Sequence, residues 1–184
     1  MIDEAGLLEA ARRREPEAVG QIFDLYAPAL FRYAVHLCED PAEADQIVGD
    51  VFAQLLEQLA AGRGPRSNLR SYLYQITYHV LVDHVRYSSH VSSMDAATNL
   101  TDIKSSVAGQ IEDSELLKEL KSAIEDGLTE EQQHVIMLRF IEEFSLQETA
   151  DIMGKSVNAV SVLQNRGIAK LRQVLGTKTG KGES

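Results

Sequence analysis

The sequence predicts an all-α protein in which two small helical domains are joined by a flexible linker, the second of them containing a helix-turn-helix. Three observations lead there. Apolar residues recur at spacings of three, four and seven through most of the chain, which is the period of a helix face. No run of useful length alternates as a strand would, and one Ser-rich stretch near the middle has no sustained period. The composition suits this: 184 residues, 44% hydrophobic and 25% charged, make one ordinary domain or two small ones and exclude wholesale disorder.

The elements follow in order. Pro16 opens a helix whose apolar face is Val19, Ile22, Phe23, Tyr26, Leu30, Tyr33 and Leu37. Pro28 lies inside it and predicts a kink or break near Ala27, because proline removes a backbone donor and crowds the preceding turn. A second helix starts with Asp40 as N-cap, Pro41 in the first helical position and Glu43 in the third. Its face runs through Ala44, Ile47, Val48, Val51, Phe52, Leu55 and Leu59, and Gly62-Arg63-Gly64-Pro65 ends it. Ser67 or Asn68 caps a third helix with Leu69, Tyr72, Leu73, Ile76 and Val80 on one side.

From Ser88 to about Gly109 there are six Ser and few charges, the composition of a flexible linker. An unstructured segment of that length is improbable inside one compact domain. The expected organisation is therefore a domain over 1–87, a linker over 88–112, a second domain over 113–175 and a flexible basic tail over 176–184.

The second domain begins with Leu116, Leu117, Leu120 and Ile124. Thr129-Glu-Glu-Gln132 is a capping box leading into Val135, Ile136, Leu138 and Phe140, and Ser145-Leu-Gln-Glu148 is another, opening a short helix from Leu146 to Met153. Gly154-Lys155-Ser156 makes a turn, and Ser156 caps a last helix through about Leu175 that offers Val157, Val160, Leu163, Ile168, Leu171 and Val174 for burial.

Several classes are excluded. No apolar run approaches the ~18 residues of a membrane span, and Met1-Ile2-Asp3-Glu4 lacks the cationic start of a secretory signal. The lone Cys38 allows neither an internal disulfide nor a zinc knuckle. His79 and Asp83 stand four apart, but two ligands do not define a metal site. No Ser/His/Asp, Cys/His or phosphate-loop spacing is present. The expectation is a soluble cytoplasmic protein that is not an enzyme and carries no cofactor or metal.

Charge supplies the first functional clue. A net charge of −10 opposes tight, independent binding to nucleic acid. Yet residues 155–184 carry 6 cations against 1 anion, where residues 113–154 carry 3 against 11. The basic stretch coincides with the second half of the short helix, Gly-containing turn and longer helix that make a helix-turn-helix. Such a motif presents the start of its second helix to a major groove. The reading face would comprise Asn158, Ser161, Val162, Asn165 and Arg166, with Lys155 at the turn. Asn and Ser suit base edges and Val162 a thymine methyl. With so few cations the counterion-release contribution is small, so this module needs something else to hold it on DNA.

Taken whole, roughly residues 7–175 resemble the extracytoplasmic-function sigma factors of bacterial RNA polymerase. Asp40-Pro-Ala-Glu-Ala-Asp-Gln-Ile-Val-Gly-Asp-Val-Phe52 is similar to the family's polymerase-docking helix. Asn68-Leu-Arg-Ser-Tyr-Leu-Tyr-Gln-Ile-Thr-Tyr-His79 and Asp83-His-Val-Arg86 are similar to its promoter-melting, minus-ten-reading helix. Leu128-Thr-Glu-Glu-Gln-Gln and the hairpin from Ser145 through Arg172 resemble its minus-thirty-five-reading domain. Order, spacing and linker agree together, which is more specific than a lone helix-turn-helix.

The resemblance implies core RNA polymerase, promoter DNA and an anti-sigma factor as partners, without membrane insertion. It implies that Asp45, Gln46 and Asp50 meet a cationic patch on the polymerase, where charge complementarity steers association. It also implies that the loop 61–68, with Arg63, Arg66 and Asn68, captures an unstacked base, and that His79 and Arg86 face the promoter. Single strands are held by stacking plus cations. Tyr74 and Tyr78 are the expected surface rings, and Tyr72, on the apolar face, the expected core ring. The chain departs from the family in having Tyr72 where Trp is usual, His79 for Asn, Gly49 for Gln, and Tyr87-Ser-Ser-His90 where basic residues are usual. A second reading accommodates these departures: a sigma-like regulatory interaction protein with little or no DNA-opening activity. A free-standing helix-turn-helix repressor is a third, opposed by the net charge.

Overall fold

A computed structural model describes residues 4–38, 40–94, 124 and 127–179, and excludes the side chains of 85–94, 175 and 177–179. Every regular element among them is helical. The chain divides into two units, Met1–Thr101 and Asp102–Ser184.

The first unit holds α1 (Glu4–Arg12), α2 (Pro16–Cys38), α3 (Pro41–Ala60) and α4 (Leu69–Met94). α2, α3 and α4 pack on one another, and α1 lies against α2 and α3. Ile22, Leu30, Tyr33, Ile47, Val51, Leu55 and Leu73 are essentially sealed from water in their core. α2 runs unbroken through Pro28. Tyr26, Ala27, Leu30 and Tyr33 on both sides of the proline are buried, and that packing carries the helix past the lost donor. Phe23, expected in the core, is 46% exposed and lies with its ring 4.7 Å from that of Phe52.

Asp40 caps α3 as its position predicts, accepting from the N–H groups of Ala42 (2.8 Å) and Glu43 (3.4 Å), with Pro41 in the first turn. The start of α4 is built differently from expectation. Asn68 accepts the Tyr72 N–H through its carbonyl, and the N–H of Leu69 is taken by the Glu4 carboxylate of α1 rather than by Ser67 or Asn68. α4 also continues to Met94, beyond the helix end expected before Ser88. No glycine or proline stands between Arg86 and Met94 to stop it.

The second unit holds α5 (Glu130–Ile136), which passes into a π-helical turn (Met137–Ile141), then α6 (Leu146–Met153) and α7 (Val157–Thr179). The helix expected around Leu116, Leu117 and Leu120 lies outside the described residues. Both predicted capping boxes form: Thr129 with Gln132, and Ser145 with Glu148. Val135, Ile136 and Leu138 are buried, but Phe140 is 50% and Ile141 60% exposed. The π-helical turn inserts one residue into the repeat and so shifts the apolar face off register. Arg139 reinforces it, donating to Gln164 Oε1 (2.9 Å) and to the Phe144 carbonyl.

Candidate nucleic-acid interface

In the first unit the loop between α3 and α4 exposes Arg63, Arg66 and Asn68. Its fold is local. The N–H groups of Arg63 and Gly64 both return to the Gln58 carbonyl at 2.8 and 3.1 Å. Gly64 lies close on Leu59: an added Cβ would stand 2.6 Å from Leu59 Cδ2 and would displace that side chain. Asn68 has φ 55°, a left-handed conformation that Asn adopts more readily than most residues. The loop therefore presents two guanidinium groups and an amide on a fixed backbone.

α4 does not present the rings expected of it. Tyr74 is fully buried, its ring 5.3 Å from that of Tyr33 with the Arg70 guanidinium 5.5 Å from its centroid. Tyr78 is buried as well, at 7% exposure. Tyr72 is the one of the three that is only half-buried, and partial burial raises its hydroxyl pKa above the ordinary value. The assignment is thus reversed. α4 packs against both α2 and α3, so its buried arc takes in Tyr74, Thr77, Tyr78 and Leu81 besides the side marked by Leu69, Leu73 and Val80. Thr77 is accommodated there by donating its hydroxyl to the Leu73 carbonyl at 2.8 Å. The solvent side that remains carries Tyr72, Gln75, His79 and Asp83. His79 is exposed and donates through Nδ1 to the Gln75 carbonyl at 2.7 Å. The Arg86 side chain lies outside the described residues.

Asp45, Gln46 and Asp50 are all exposed along α3, whose opposite side is buried by Ala44, Ile47, Val48 and Val51. Gly49 lies among them with open space above it. A cleft of about 370 Å³ lined by Asp50, Gln54, Glu57, Asp83 and His84 continues this acidic strip toward α4. The strip is an exposed run of carboxylates and an amide on one side of α3.

In the second unit the helix-turn-helix forms from α6 and α7. Gly154, at φ 62°, ends α6 in the left-handed conformation and its N–H returns to the carbonyls of Ala150 and Asp151. Ser156 starts α7, its hydroxyl accepting the Ala159 N–H at 3.2 Å. Ala150, Ile152 and Val160 are buried where α6 and α7 pack, and Ala150 brings only a methyl group to that contact. Asn158, Val162, Asn165 and Arg166 are exposed and Ser161 is half-buried, so the predicted reading residues share the outer side of α7. Lys155 is engaged within the unit, its Nζ 2.6 Å from Glu131 Oε1. Val157, Leu163, Ile168, Leu171 and Val174, expected in the core, are each half-buried. In the same unit His134 is almost wholly buried, and burial pushes its pKa down to about 4.

Two features of this region were not legible in sequence. Tyr72 was hidden by its place on the strongest apolar stripe, and the signal that would have moved it was the apolar and aromatic content of α4 all round. The second is α1, whose polar side chains reach the loop from far away in sequence. No helix among the described residues is long and apolar enough to cross a membrane.

Comparison with known proteins agrees with this layout. Residues 22–91 match the model of Sigma-70 region 2, and residues 126–173 match that of Sigma-70, region 4. The chain is 27% identical over 172 residues to the ECF RNA polymerase sigma factor BldN of Streptomyces coelicolor, a match that covers 92% of this chain and 64% of that protein. It is 27% identical over 158 residues to the ECF RNA polymerase sigma factor SigX of Bacillus subtilis, covering 83% of this chain and 80% of the relative. Among solved structures, the fold is like that of the sigma factor RpoE of Bartonella quintana in complex with the anti-sigma factor NepR. That match has a TM-score of 0.68 and 21% identity over 85% of this chain and 96% of the other.

Proposed function

Because this chain belongs to the sigma-70 family, in its extracytoplasmic-function branch, we propose that it is an alternative-type sigma factor that binds core RNA polymerase and directs promoter-specific transcription initiation. The observation that carries this reading is the pairing, in order on one chain, of a region 2 match bearing an acidic exposed strip with a region 4 match bearing a formed helix-turn-helix. Residues 1–87 dock on the polymerase through Asp45, Gln46 and Asp50 and open the minus-ten element. Residues 113–175 read the minus-thirty-five element, and 88–112 connect the two.

The mechanism is delegated recognition in the cytoplasm, without covalent chemistry. The acidic strip gives specificity and speed of docking. Once docked, each DNA-binding unit works at an effective concentration set by the connection rather than by its own affinity, which suits a chain with net charge −10. In the first unit Arg63, Arg66 and Asn68 take an unstacked base, while Tyr72 and His79 offer the adjoining platform; Arg86 is assigned to the promoter by the family resemblance alone. In the second, Asn158, Ser161, Val162, Asn165 and Arg166 face the major groove with Lys155 beside them. By analogy with the relative solved with NepR, an anti-sigma protein is the expected inhibitory partner.

Run-off transcription tests the proposal. Core enzyme with this protein starts at a cognate promoter that core alone ignores. Core binding without initiation would instead support the sigma-like regulatory reading, and absence of both would reject the proposal.

A further inference from the structure

The loop 61–68 is held from outside by the N-terminal segment at three points. Arg14 donates to the Ala60 carbonyl at 3.0 Å, where α3 ends. Arg12 donates through Nε (3.2 Å) and an Nη nitrogen (3.0 Å) to the Pro65 carbonyl and also bonds the Gly64 carbonyl, in the middle of the loop. Glu4 accepts the Leu69 N–H at 3.0 Å, where α4 begins, and is itself fixed by the Tyr26 hydroxyl at 2.8 Å. Between these anchors Arg63, Arg66 and Asn68 remain exposed. All three anchors bond backbone groups, so they set the path of the loop and leave its side chains free.

We propose that Glu4, Arg12 and Arg14 are positioning residues for promoter recognition: they hold the 61–68 loop in the shape that captures an unstacked base. This rests on the loop role proposed above. The physical basis is preorganisation. A loop ordered before binding loses less entropy when it closes on a base, and a charged donor on two carbonyls is a strong way to order it. Arg12 is suited to the task because its planar fork spans neighbouring acceptors, which an ammonium does not. Arg66 lines the same cleft as Arg12, of about 310 Å³ with Ala5, Leu8 and Glu9, so Arg63 is the cleaner probe of the loop itself.

The test selects a randomised single-stranded DNA pool on the holoenzyme and sequences the retained strands. Wild-type holoenzyme enriches a defined base at one position, and Arg12→Ala lowers that enrichment about tenfold. Core affinity is unchanged, and Arg12→Lys recovers little. A merely structural Arg12 would lower core affinity and the thermal midpoint together while the folded fraction kept its base preference, and that result overturns the proposal. Arg63→Ala reports on the loop role separately. If it abolishes enrichment while Arg12→Ala preserves it, the loop role stands and the positioning role is refuted. If Arg63→Ala keeps full enrichment, or the wild type enriches nothing, the loop role falls and the positioning role with it. Should Arg12→Ala fail to fold, the exposed Arg14→Ala decides: a smaller loss of selectivity supports the proposal, and full selectivity contradicts it.

Discussion

The two helices proposed to meet DNA are built in opposite ways. α4 is gripped by two neighbours, and among its described side chains only His79 and Asp83 are exposed, so the proposed reading falls to the loop before it. α7 buries fully only Val160 and Gly167 among its described residues and leaves a whole side outward. One helix is a wall behind a shaped loop; the other is itself the proposed reading surface. The same division explains why a ring in α4 is more safely taken as core and a polar residue in α7 as contact.

Tyr74→Ala separates the two designs most sharply. It should destabilise the first unit by about 3–5 kcal/mol, as removal of a large buried ring does. Tyr72→Ala should cost about 1 kcal/mol or less while reducing promoter opening. Urea unfolding of both variants, with open-complex formation on the second, checks this; equal destabilisation would mean that both rings are core.

Acid titration comes next and acts on the second unit. His134 is buried neutral, with its pKa at about 4 in the fold against 6.5 in the unfolded chain. Between these values the unfolded state binds the extra proton, so stability is fully present above pH 6.5 and falls as pH drops toward 4. The loss amounts to about 3 kcal/mol. Urea midpoints of the second unit's transition against pH measure it, and His134→Gln should flatten the profile.

Arg166→Ala should reduce promoter-dependent initiation about tenfold through a lost major-groove contact and leave core binding as it was. Loss of core binding as well would make the residue structural. The smallest effect is expected from Ser145→Ala, which removes one hydroxyl of a capping box and should cost about 1 kcal/mol, read as a lowered urea midpoint with the acid response intact.

Much of this was legible in sequence, and the division between legible and hidden is physical. The caps at Asp40, Thr129, Ser145 and Ser156 are local chemistry, settled within three residues, and each forms where it was expected. The glycine turn of the helix-turn-helix and the outer side of α7 are local as well. Tyr74 and Tyr72 changed places because a periodicity marks one stripe, whereas a helix between two partners buries more than one. Phe140 left the core because a π-helical turn displaces the repeat, and no residue type announces such a turn. The bonds from Glu4 and Arg12 to the loop join residues more than fifty positions apart, beyond any local pattern.

The most direct measurement is the mobility of a labelled promoter fragment with this protein, with core enzyme and with both. Two weakly cationic reading elements on an acidic chain should shift the fragment only when both are present. A salt-sensitive shift by this protein alone would contradict delegated recognition and make it a free-standing DNA-binding protein.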